Sequence, residues 1–354
     1  MKNFTFILIT FLLSIQNLQA QKLEQTWLGN VIGVNDTIKW VGYDPLYVED
    51  YSQHWTVRLI STYKNNSFEV LNRNTEGAMY RIKYSPVAPY SVGIGLNHKW
   101  IGFNASFTLS EGQDGLKDTS KQLDLITRIY GRKIGGEFRI QYFNKHKAII
   151  SPLENQQDIN LSGIPFFNSI FVTGNAMYVF NQTTYSYMGS ITQTQWQKQS
   201  SGSWLVGGLW DYHILWNHST TSSDDLKQLN LRNNHYLSIG VTGGYGHTFV
   251  FKKHFYVGGT FMAGPSVSNV FQSDLINGDR NDHFLRPSLM SIGRIGIGYN
   301  SDIYFAGIQG IYQSNVIFWE NQDPRYRSGY LRIAVGRRFN WEAKSKVLKG
   351  IGLH

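Results

Sequence analysis

The sequence lacks cysteine and has no second long apolar run, and each absence removes a class of protein. Without cysteine the chain can form neither a disulfide framework nor a thiol-based metal site. The apolar run over residues 4–15 is too short to cross a bilayer as a helix, and no later stretch is long and apolar enough. A membrane form of this chain must therefore be a closed β-barrel, because only helices and closed barrels satisfy every backbone polar group in lipid.

The first twenty residues have the pattern of a secretory signal peptide. Lys2 supplies a basic start, residues 4–15 form an apolar core, and Ala20 is a small residue before the cleavage point. We expect cleavage near Ala20 and export to the cell outer membrane. The alternative interpretation is a buried N-terminal helix. Cleavage removes one positive charge, so the formal net charge falls from +9 to +8.

Acidic residues are in the minority, with 24 against 33 lysines and arginines. The surplus suits anionic lipid headgroups or an anionic solute, whereas an exported chain with no basic run is not expected to bind nucleic acid. Aromatic residues and glycine are plentiful, with 21 Tyr, 21 Phe, 10 Trp and 35 Gly. Tyr and Trp form the aromatic girdles of membrane barrels, and glycine lets strands bend, so this composition favours a barrel.

The clearest strand pattern lies over residues 329–339. One face carries Leu331, Ile333, Val335 and Phe339, and the other carries Tyr330, Arg332, Ala334, Gly336 and Arg338. An apolar outer face opposite a polar inner face is typical of a transmembrane barrel strand. We interpret this segment as the closing strand, with Phe339 as a signal for the barrel-assembly machinery.

The same alternation recurs from Trp55 to Phe339 and predicts an all-β fold. The expected architecture is a transmembrane antiparallel up-and-down β-barrel of about 12–14 strands, each of about ten residues. The predicted organisation is a signal peptide (1–20), a periplasmic N-terminal extension (21–54), an outer-membrane barrel (55–339) and a basic C-terminal tail (340–354).

Assigning individual strands leaves one conflict. Residues 80–84 and 92–96 are predicted as separate strands, as are residues 171–181 and 185–197. Three connections are long, polar and rich in turn residues: 145–169, 218–234 and 268–283. Long connections of membrane barrels usually lie on the outer surface, yet under this strand assignment the three do not all fall at one end.

Several charged residues are predicted to project into the barrel interior. They are Arg58, Arg81, Asp124, Arg128, Glu137, Arg139, Arg294 and Arg332. Isolated burial of a charge is very costly, so we expect a network in which the two carboxylates pair with arginines. Such a network blocks a narrow barrel, whereas in a wider one the surplus arginines would favour anions.

A row of small residues is also predicted to face inward. It consists of Ser238, Gly240, Thr242, Gly244, Gly246 and Thr248. Small inward residues leave room for a solute path or a pocket. The alternative is that bulky side chains from elsewhere fill this room, or that the row permits curvature of the wall.

The sequence offers only weak candidates for catalysis. Asp211 and His213 share one face of a strand, and Ser200, Ser201 and Ser203 lie nearby in sequence. A hydrolase needs a nucleophile, a base and an orienting group, but no Gly-x-Ser-x-Gly elbow is present. The ten histidines are scattered and no HExxH-like spacing occurs, so neither a metal nor a cofactor is expected.

Several short motifs resemble an uncharacterised family. They are Asp44 to Tyr51 with Trp55 to Arg58, Ser91 to Trp100, Tyr178 to Asn181, Gln197 to Ser203 and Gly243 to Val250. In this order they resemble a family of Bacteroidetes-type outer-membrane proteins, domain of unknown function four-four-two-one. The resemblance covers nearly all of the mature chain. It implies a secreted barrel-forming protein and no particular activity.

Three functional hypotheses follow. The favoured one is a monomeric outer-membrane β-barrel, surrounded by outer-membrane lipid, whose role is structural or the passage of a small solute or lipid. The second is an outer-membrane hydrolase that acts on lipid or envelope polymer through Asp211 and His213. The third is a soluble exported β-protein that binds a ligand. The consistent aliphatic rows speak against the third, because soluble sandwiches have shorter and less regular strands.

Overall fold

The computed structural model describes residues 43–73, 79–86, 89–98, 101–108, 122–131, 133–152, 159–161, 167–217, 232–274, 280–319 and 324–340. The predicted signal peptide, the first part of the N-terminal extension and the tail beyond Asn340 lie outside these residues. Every regular element within them is a β-strand. Among them, no helix has the length and apolar character needed to cross a membrane.

The strands of the first half are β1 (Val48–Asp50), β2 (Trp55–Arg73), β3 (Met79–Pro86), β4 (Tyr90–His98), β5 (Ile101–Thr108), β6 (Gln122–Tyr130), β7 (Ile134–Pro152) and β8 (Ile159–Leu161). Those of the second half are β9 (Phe167–Val179), β10 (Gln195–Gln197), β11 (Ser201–Asn217), β12 (Arg232–Phe251), β13 (Phe255–Asp274), β14 (Arg280–Asn300), β15 (Tyr304–Ile317) and β16 (Arg325–Phe339).

Twelve of these strands form a closed antiparallel barrel. The ring runs through β2, β4, β5, β6, β7, β9, β11, β12, β13, β14, β15 and β16. β16 returns to β2, with Phe339 opposite Trp55 and Arg325 opposite Glu69. Among the described residues, closure leaves the twelve-stranded ring without a first or last strand, which is the condition for a sheet to lie in lipid. The predicted all-β barrel is therefore confirmed, with 12 strands.

β3 and β4 are two parts of one interrupted descending strand. β4 pairs with β2 over Thr56 to Tyr63, and β3 pairs with β2 over Phe68 to Arg73. Both are antiparallel to β2, so the chain does not reverse between them. The β5–β6 hairpin completes only the part of the wall that lies nearer to Trp55. Farther from Trp55, β3 pairs directly with β7.

Two of the strand assignments made from the sequence are therefore wrong. Residues 80–84 and 92–96 belong to one interrupted strand, and most of residues 185–197 form turns instead of a wall strand. With both corrections the three connections join β7 to β9, β11 to β12 and β13 to β14 at one end, which is called the loop end here. They are shorter than predicted, because residues 145–152, 268–274 and 280–283 belong to strands. The opposite end, where Trp55 and Phe339 pair, is the terminal end.

The wall has an apolar outer face and a mixed inner face. On β16, the outer Leu331 and Ile333 are 51% and 54% exposed, whereas the inner Tyr330 and Arg332 are 4% and 2% exposed. Large apolar side chains cover the outer faces of the neighbouring strands as well, including Ile308 on β15 and Ile297 on β14. A continuous exposed apolar surface of this extent is typical of a face that meets lipid or a partner.

The long strands extend beyond any single apolar belt. β14 has 21 residues, which at a rise of about 3.3 Å and a tilt of about 40° gives a height of about 50 Å, against an apolar band of about 25 Å. Toward the loop end the outer face becomes charged. There Glu69 accepts a 2.9 Å hydrogen bond from Arg327 and lies 3.9 Å from the Lys83 ammonium. The wall thus has an apolar belt and a charged collar.

Candidate functional site

The interior of the barrel is filled by its own chain at the terminal end. Residues 181–200, which connect β9 to β11, fold inward and are called the plug here. Hydrogen bonds from Tyr185 N to Asn181 O (3.0 Å) and from Thr192 N to Met188 O (2.9 Å) fold it into turns. Residues 185–195 are all buried. The plug is continuous in sequence with the wall strands β9 and β11, so the wall holds both of its ends.

Polar side chains of the wall hold the backbone and amides of the plug. Gln193 donates to the Tyr256 hydroxyl (2.6 Å) and accepts from Gln309 Nε2 (3.1 Å). Arg58 Nη1 donates to the Thr192 carbonyl (3.0 Å), and Arg338 donates to the Gln193 carbonyl. Loop backbone buried in a lumen needs such partners, because an unsatisfied buried polar group costs about 1–3 kcal/mol.

Inward glycines of the wall accept the plug. A Cβ atom at Gly296 would lie 2.1 Å from the Ser190 carbonyl oxygen, and one at Gly246 would lie 2.4 Å from the Tyr185 hydroxyl. Gly246 belongs to the row of small inward residues on β12. At this height the row is not an open path, because the plug occupies the space.

The N-terminal segment 43–54 covers the plug from the terminal end. Its strand β1 pairs with β10, with Val48 opposite Gln197. The Arg338 guanidinium lies 4.4 Å from the centre of the Tyr51 ring. Burial raises the pKa of Asp50. Burial, and next the charge of Arg338, lower the pKa of His54.

A layer of charged residues occupies the middle of the lumen. Lys64 Nζ lies 3.3 Å from Asp124 Oδ2. Glu137 accepts hydrogen bonds from Arg128 Nε (2.6 Å) and Arg139 Nη2 (3.0 Å). All five side chains are almost completely shielded from solvent. Paired in this way, the two carboxylates offset part of the desolvation cost of the cations.

Further arginines surround this layer. Arg139 and Arg332 flank the Tyr330 ring, with guanidinium carbons 4.9 and 4.4 Å from its centre. Arg332 also donates to the Thr62 hydroxyl (3.1 Å). Arg294 lies over the ring of Tyr187 in the plug, at 5.5 Å. The charged layer therefore contacts the plug directly.

The structure brings most of the predicted interior charges together, with one correction. Asp124, Arg128, Glu137, Arg139 and Arg332 lie in or beside the charged layer, and Arg58 and Arg294 contact the plug.

Arg81 was expected inside, but it lies on the outer face of β3. Tyr80, Ile82 and Tyr84 point inward instead and pack with Phe68 in a buried cluster. This height is within the charged collar, where the outer face carries charged side chains such as Glu69, Lys83 and Arg327, and the aromatic side chains point inward.

Sequence reasoning missed Lys64 and the role of Arg338. Every second residue from Arg58 along β2 points inward, which places Lys64 in the lumen. The inward position of Lys64 could therefore have been predicted from the alternation. Arg338 was assigned to the inner face but not to a site, because no sequence pattern shows that a loop fills the lumen beside it.

Above the charged layer the lumen holds two buried, largely aromatic clusters, together with buried polar side chains such as Asn66, Gln141 and Ser328. Phe143, Phe171 and Tyr326 form one buried cluster. Nearer the loop end lies a second cluster, made of Phe68, Val70, Tyr80, Ile82, Tyr84, Ile150, Leu215, Tyr236, Val270 and Ile317. With the plug and the charged layer, these clusters make three successive fillings of the lumen.

Asp211 and His213 do not form a catalytic arrangement with the serines expected near them. The His213 ring packs against Phe171 and Tyr326, with ring centres 4.8 and 3.5 Å away. Neither of its ring nitrogens has a hydrogen-bond partner among the described residues. Ser203 is eight residues from Asp211 along β11, about 27 Å at the usual rise per residue. A nucleophile and its base need to be within hydrogen-bond reach.

The Asp211 carboxylate belongs to a chain of short polar groups. Asn315 Nδ2 lies 3.5 Å from both Asp211 oxygens and donates to Ser238 Oγ (2.7 Å). Hydroxyl contacts continue from Ser238 to Ser268 (2.7 Å) and from Ser268 to Ser288 (2.8 Å). These bonds join β11, β12, β13, β14 and β15 across the inner wall, and their role is to satisfy polar groups there.

The outer face carries a shallow apolar groove of about 400 Å³. Its lining includes Gly136, Gly174 and Gly208 and the side chains of Phe138 and Trp210. The described residues contain no group of three or more histidines and carboxylates that could hold a metal ion.

Comparisons with known structures give outer-membrane proteins. The outer-membrane protease OmpT of Escherichia coli matches with a TM-score of 0.34 and 10% identity, covering 82% of this chain and 97% of the protease. An outer-membrane channel of Pseudomonas putida F1 matches with a TM-score of 0.35 and 11% identity, covering 84% and 99%. The P. putida toluene transporter TodX matches with a TM-score of 0.24 and 9% identity, covering 82% and 91%. No curated protein matches the sequence.

A closed twelve-stranded antiparallel barrel with an apolar outer belt defines the class of this protein: it is a β-barrel of the outer-membrane type. The chain belongs to the family described as a domain of unknown function (DUF4421), whose model matches residues 42–339. The resemblance to this domain of unknown function that the sequence motifs indicated is thereby confirmed. The match begins just before the segment that covers the plug and ends with the closing strand.

Proposed function

We propose that this protein is an outer-membrane β-barrel with a structural role and no open pore at rest. The observation that carries the proposal is the filling of the lumen at three heights, by the plug, the charged layer and the aromatic clusters. A freely conducting channel needs a continuous polar path, whereas here each filling lies across the axis. Passage of a solute would require all three to move.

The apolar belt supports insertion into outer-membrane lipid. Aliphatic and aromatic side chains on the outer faces would be costly in water at about 25 cal/mol per Å² of exposed apolar surface. In our proposal the terminal end faces the periplasm and the loop end faces outward. Chain export after cleavage near Ala20, a periplasmic position of residues 21–54 and handling by the barrel-assembly machinery complete this picture. In this proposal the chain acts as a monomer, and closure of its barrel requires no strand from a second copy.

Membrane insertion is tested by extraction and by gel mobility. We expect the protein in the outer-membrane fraction, resistant to high-pH carbonate washing and released only by detergent. Its mobility on a denaturing gel should change after boiling, as for a compact closed barrel. Release into the soluble periplasmic fraction would contradict the proposal and would favour a soluble ligand-binding protein.

A hydrolase remains the alternative to test, because two buried polar residues lie on one inner face. We expect strains that carry the wild-type protein or His213→Ala to hydrolyse lipid and envelope polymer no faster than a strain that lacks the protein. Hydrolysis that depends on the wild-type protein and is lost in His213→Ala would contradict the structural role.

A further inference from the structure

The apolar groove on the outer face follows an interruption in the pattern of large outer side chains. At one height the outer positions of β7, β9 and β11 carry Gly136, Ala176 and Gly208, which lie side by side in the register of the three strands. Large apolar residues continue this row at its two ends, with Ile129 on β6 and Val241 on β12. The belt is therefore indented over three neighbouring strands.

Aromatic side chains form the side of this indentation toward the loop end. In the next outer row the register places Phe138, Gly174 and Trp210 beside one another, and the two ring centres lie 5.9 Å apart. A Cβ atom at Gly174 would lie 2.2 Å from Trp210 Nε1. Only a glycine at this position leaves room for the indole, which lies over the backbone of β9 beside the groove.

The lining of the groove is predominantly apolar, and its volume is about 400 Å³. At about 30 Å³ for a water-sized group, this volume corresponds to roughly a dozen methylene groups. Glu137 and Asn175 also border the groove, but both belong to the inner face of the wall. The Glu137 carboxylate binds Arg128 and Arg139 there. The groove therefore suits an uncharged, apolar ligand.

The width of the groove limits the shape of this ligand. Toward the terminal end the next outer row consists of Ile134, Tyr178 and Val206. This row is four positions from Phe138 and Trp210 along the strands, which is about 13 Å at the rise of a β-strand. Side chains on both sides narrow the space to less than the diameter of about 10–12 Å that a helix with its side chains needs. A single extended hydrocarbon chain is narrow enough.

The surface around the groove indicates the source of such a chain. Val206, Ile239 and Val241 are exposed, so the groove opens onto the apolar belt and is continuous with it. Lining atoms of an empty groove would lack contact partners and would lose dispersion energy. Acyl chains of the surrounding lipid contact the belt, so they can enter the groove from the side.

We propose that the groove binds one acyl chain of a membrane lipid and holds it against Gly136, Ala176 and Gly208. The inference rests on the proposed insertion of the barrel into lipid. Strands of membrane barrels tilt by about 40°, so a chain that crosses β7, β9 and β11 runs obliquely to the bilayer normal. This chain stays bound longer than the acyl chains that contact the rest of the belt.

Photolabelling in a lipid bilayer tests the site. The full barrel is reconstituted into nanodiscs with a small fraction of phosphatidylethanolamine that carries a diazirine on one acyl chain, and the labelled residues are mapped by mass spectrometry. We expect labelling of Phe138, Ala176 and Trp210 to be several-fold higher than labelling of Ile308 on the outer face of β15. Equal labelling at the two places would overturn the proposal.

Two matched leucine variants assign the labelling to the groove. A Cβ atom at Gly208 would have the Gly240 carbonyl oxygen as its nearest neighbour, at 3.8 Å, so Gly208→Leu has room at the wall and its side chain fills the groove. It should lower the labelling of the groove to the level at Ile308. Gly243→Leu adds the same side chain to an outer position beside the groove, with no atom within 4 Å of its Cβ, and should keep the several-fold preference. A preference that survives in Gly208→Leu would overturn the proposal.

The results separate this site from the proposed function. A barrel that is recovered in the soluble fraction and does not enter nanodiscs contradicts the insertion on which the site depends, whereas an inserted barrel with uniform labelling contradicts the acyl-chain site alone. A polypeptide in the groove, whether a second copy or another protein, would appear as an additional mass on the detergent-purified barrel. Loss of that mass in Gly208→Leu, but not in Gly243→Leu, would overturn the assignment to a lipid chain.

Discussion

Ser190 of the plug lies directly against Gly296 of β14, where a Cβ atom would approach the Ser190 carbonyl oxygen to 2.1 Å. Gly258 on the adjacent β13 faces the same serine, with 2.6 Å between its hypothetical Cβ and Ser190 Cβ. The wall is thus shaped for the plug by the absence of side chains. This fit makes a packing prediction possible.

Gly296→Val should loosen the plug. The added side chain overlaps a backbone carbonyl, so we expect a loss of about 1–3 kcal/mol in the free energy of unfolding, as for other overpacked sites. Urea unfolding of the detergent-solubilised barrel measures the loss. Gly243→Val is the matched control, because no atom lies within 4 Å of the added Cβ on this outer position. Unchanged stability of Gly296→Val would show that the plug is not packed against β14.

Asp124→Asn should be strongly destabilising. It leaves the ammonium of Lys64, now 3.3 Å from the Asp124 carboxylate, as a buried charge without its partner. Removing one member of a buried pair costs about 3–5 kcal/mol. The same urea experiment measures this loss.

The double variant Lys64→Met with Asp124→Leu should recover much of that stability, because both charges disappear together. Recovery will be incomplete where Asp124 also offsets neighbouring arginines. A double variant as unstable as Asp124→Asn alone would mean that the pair is not the source of the loss.

Acid should release the N-terminal segment from the plug. The pKa of His54 is lowered in the folded state by burial and by Arg338, so the unfolded segment binds a proton more readily. The contribution of neutral His54 to folding stability is fully present above about pH 6.5, the ordinary pKa of histidine. It is lost as the pH falls through the pKa of His54 in the folded state. The imidazole is partly exposed, so the effect is modest.

Hydrogen exchange of residues 43–54 at pH 7.5 and pH 5.0 measures this release. After correction for intrinsic rates, we expect a few-fold loss of protection at pH 5.0 in the wild type and a smaller one in His54→Gln. Asp50 acts in the opposite direction, because burial raises its pKa in the folded state. The stability contributed by its protonated form is therefore lost as the pH rises above about 3.9, the ordinary pKa of aspartic acid. Equal losses of protection in the wild type and in His54→Gln would show that His54 does not cause the release.

Phe339→Ala should impair assembly. Phe339 ends the closing strand opposite Trp55, and the Arg337 guanidinium lies 5.0 Å from the centre of its ring. If this residue serves as the assembly signal, the amount of heat-modifiable barrel in the outer membrane should fall several-fold. Deleting residues 340–354 is the control and should leave assembly intact. The reverse pattern would place the signal in the tail.

The sequence predicts the wall far better than the lumen. On β16, alternation of Leu331 and Ile333 with Arg332 identifies both faces, because an apolar medium on one side enforces period two. The same rule fails for Arg81, since the apolar belt of the outer face ends below that height. Tyr185 and Tyr187 also alternate with small polar residues, yet they belong to the plug. An inward-folded loop buries apolar residues as a strand does, so local pattern cannot separate the two.

Conductance of the purified barrel in a planar lipid bilayer tests the central claim most directly. We expect no steady current above that of the lipid alone at moderate voltage, because three fillings lie across the axis. A variant that replaces residues 185–194 with a short glycine-serine turn should stay closed, since the charged layer and the aromatic clusters remain. A stable, ohmic single-channel current through the wild-type protein would contradict the closed lumen.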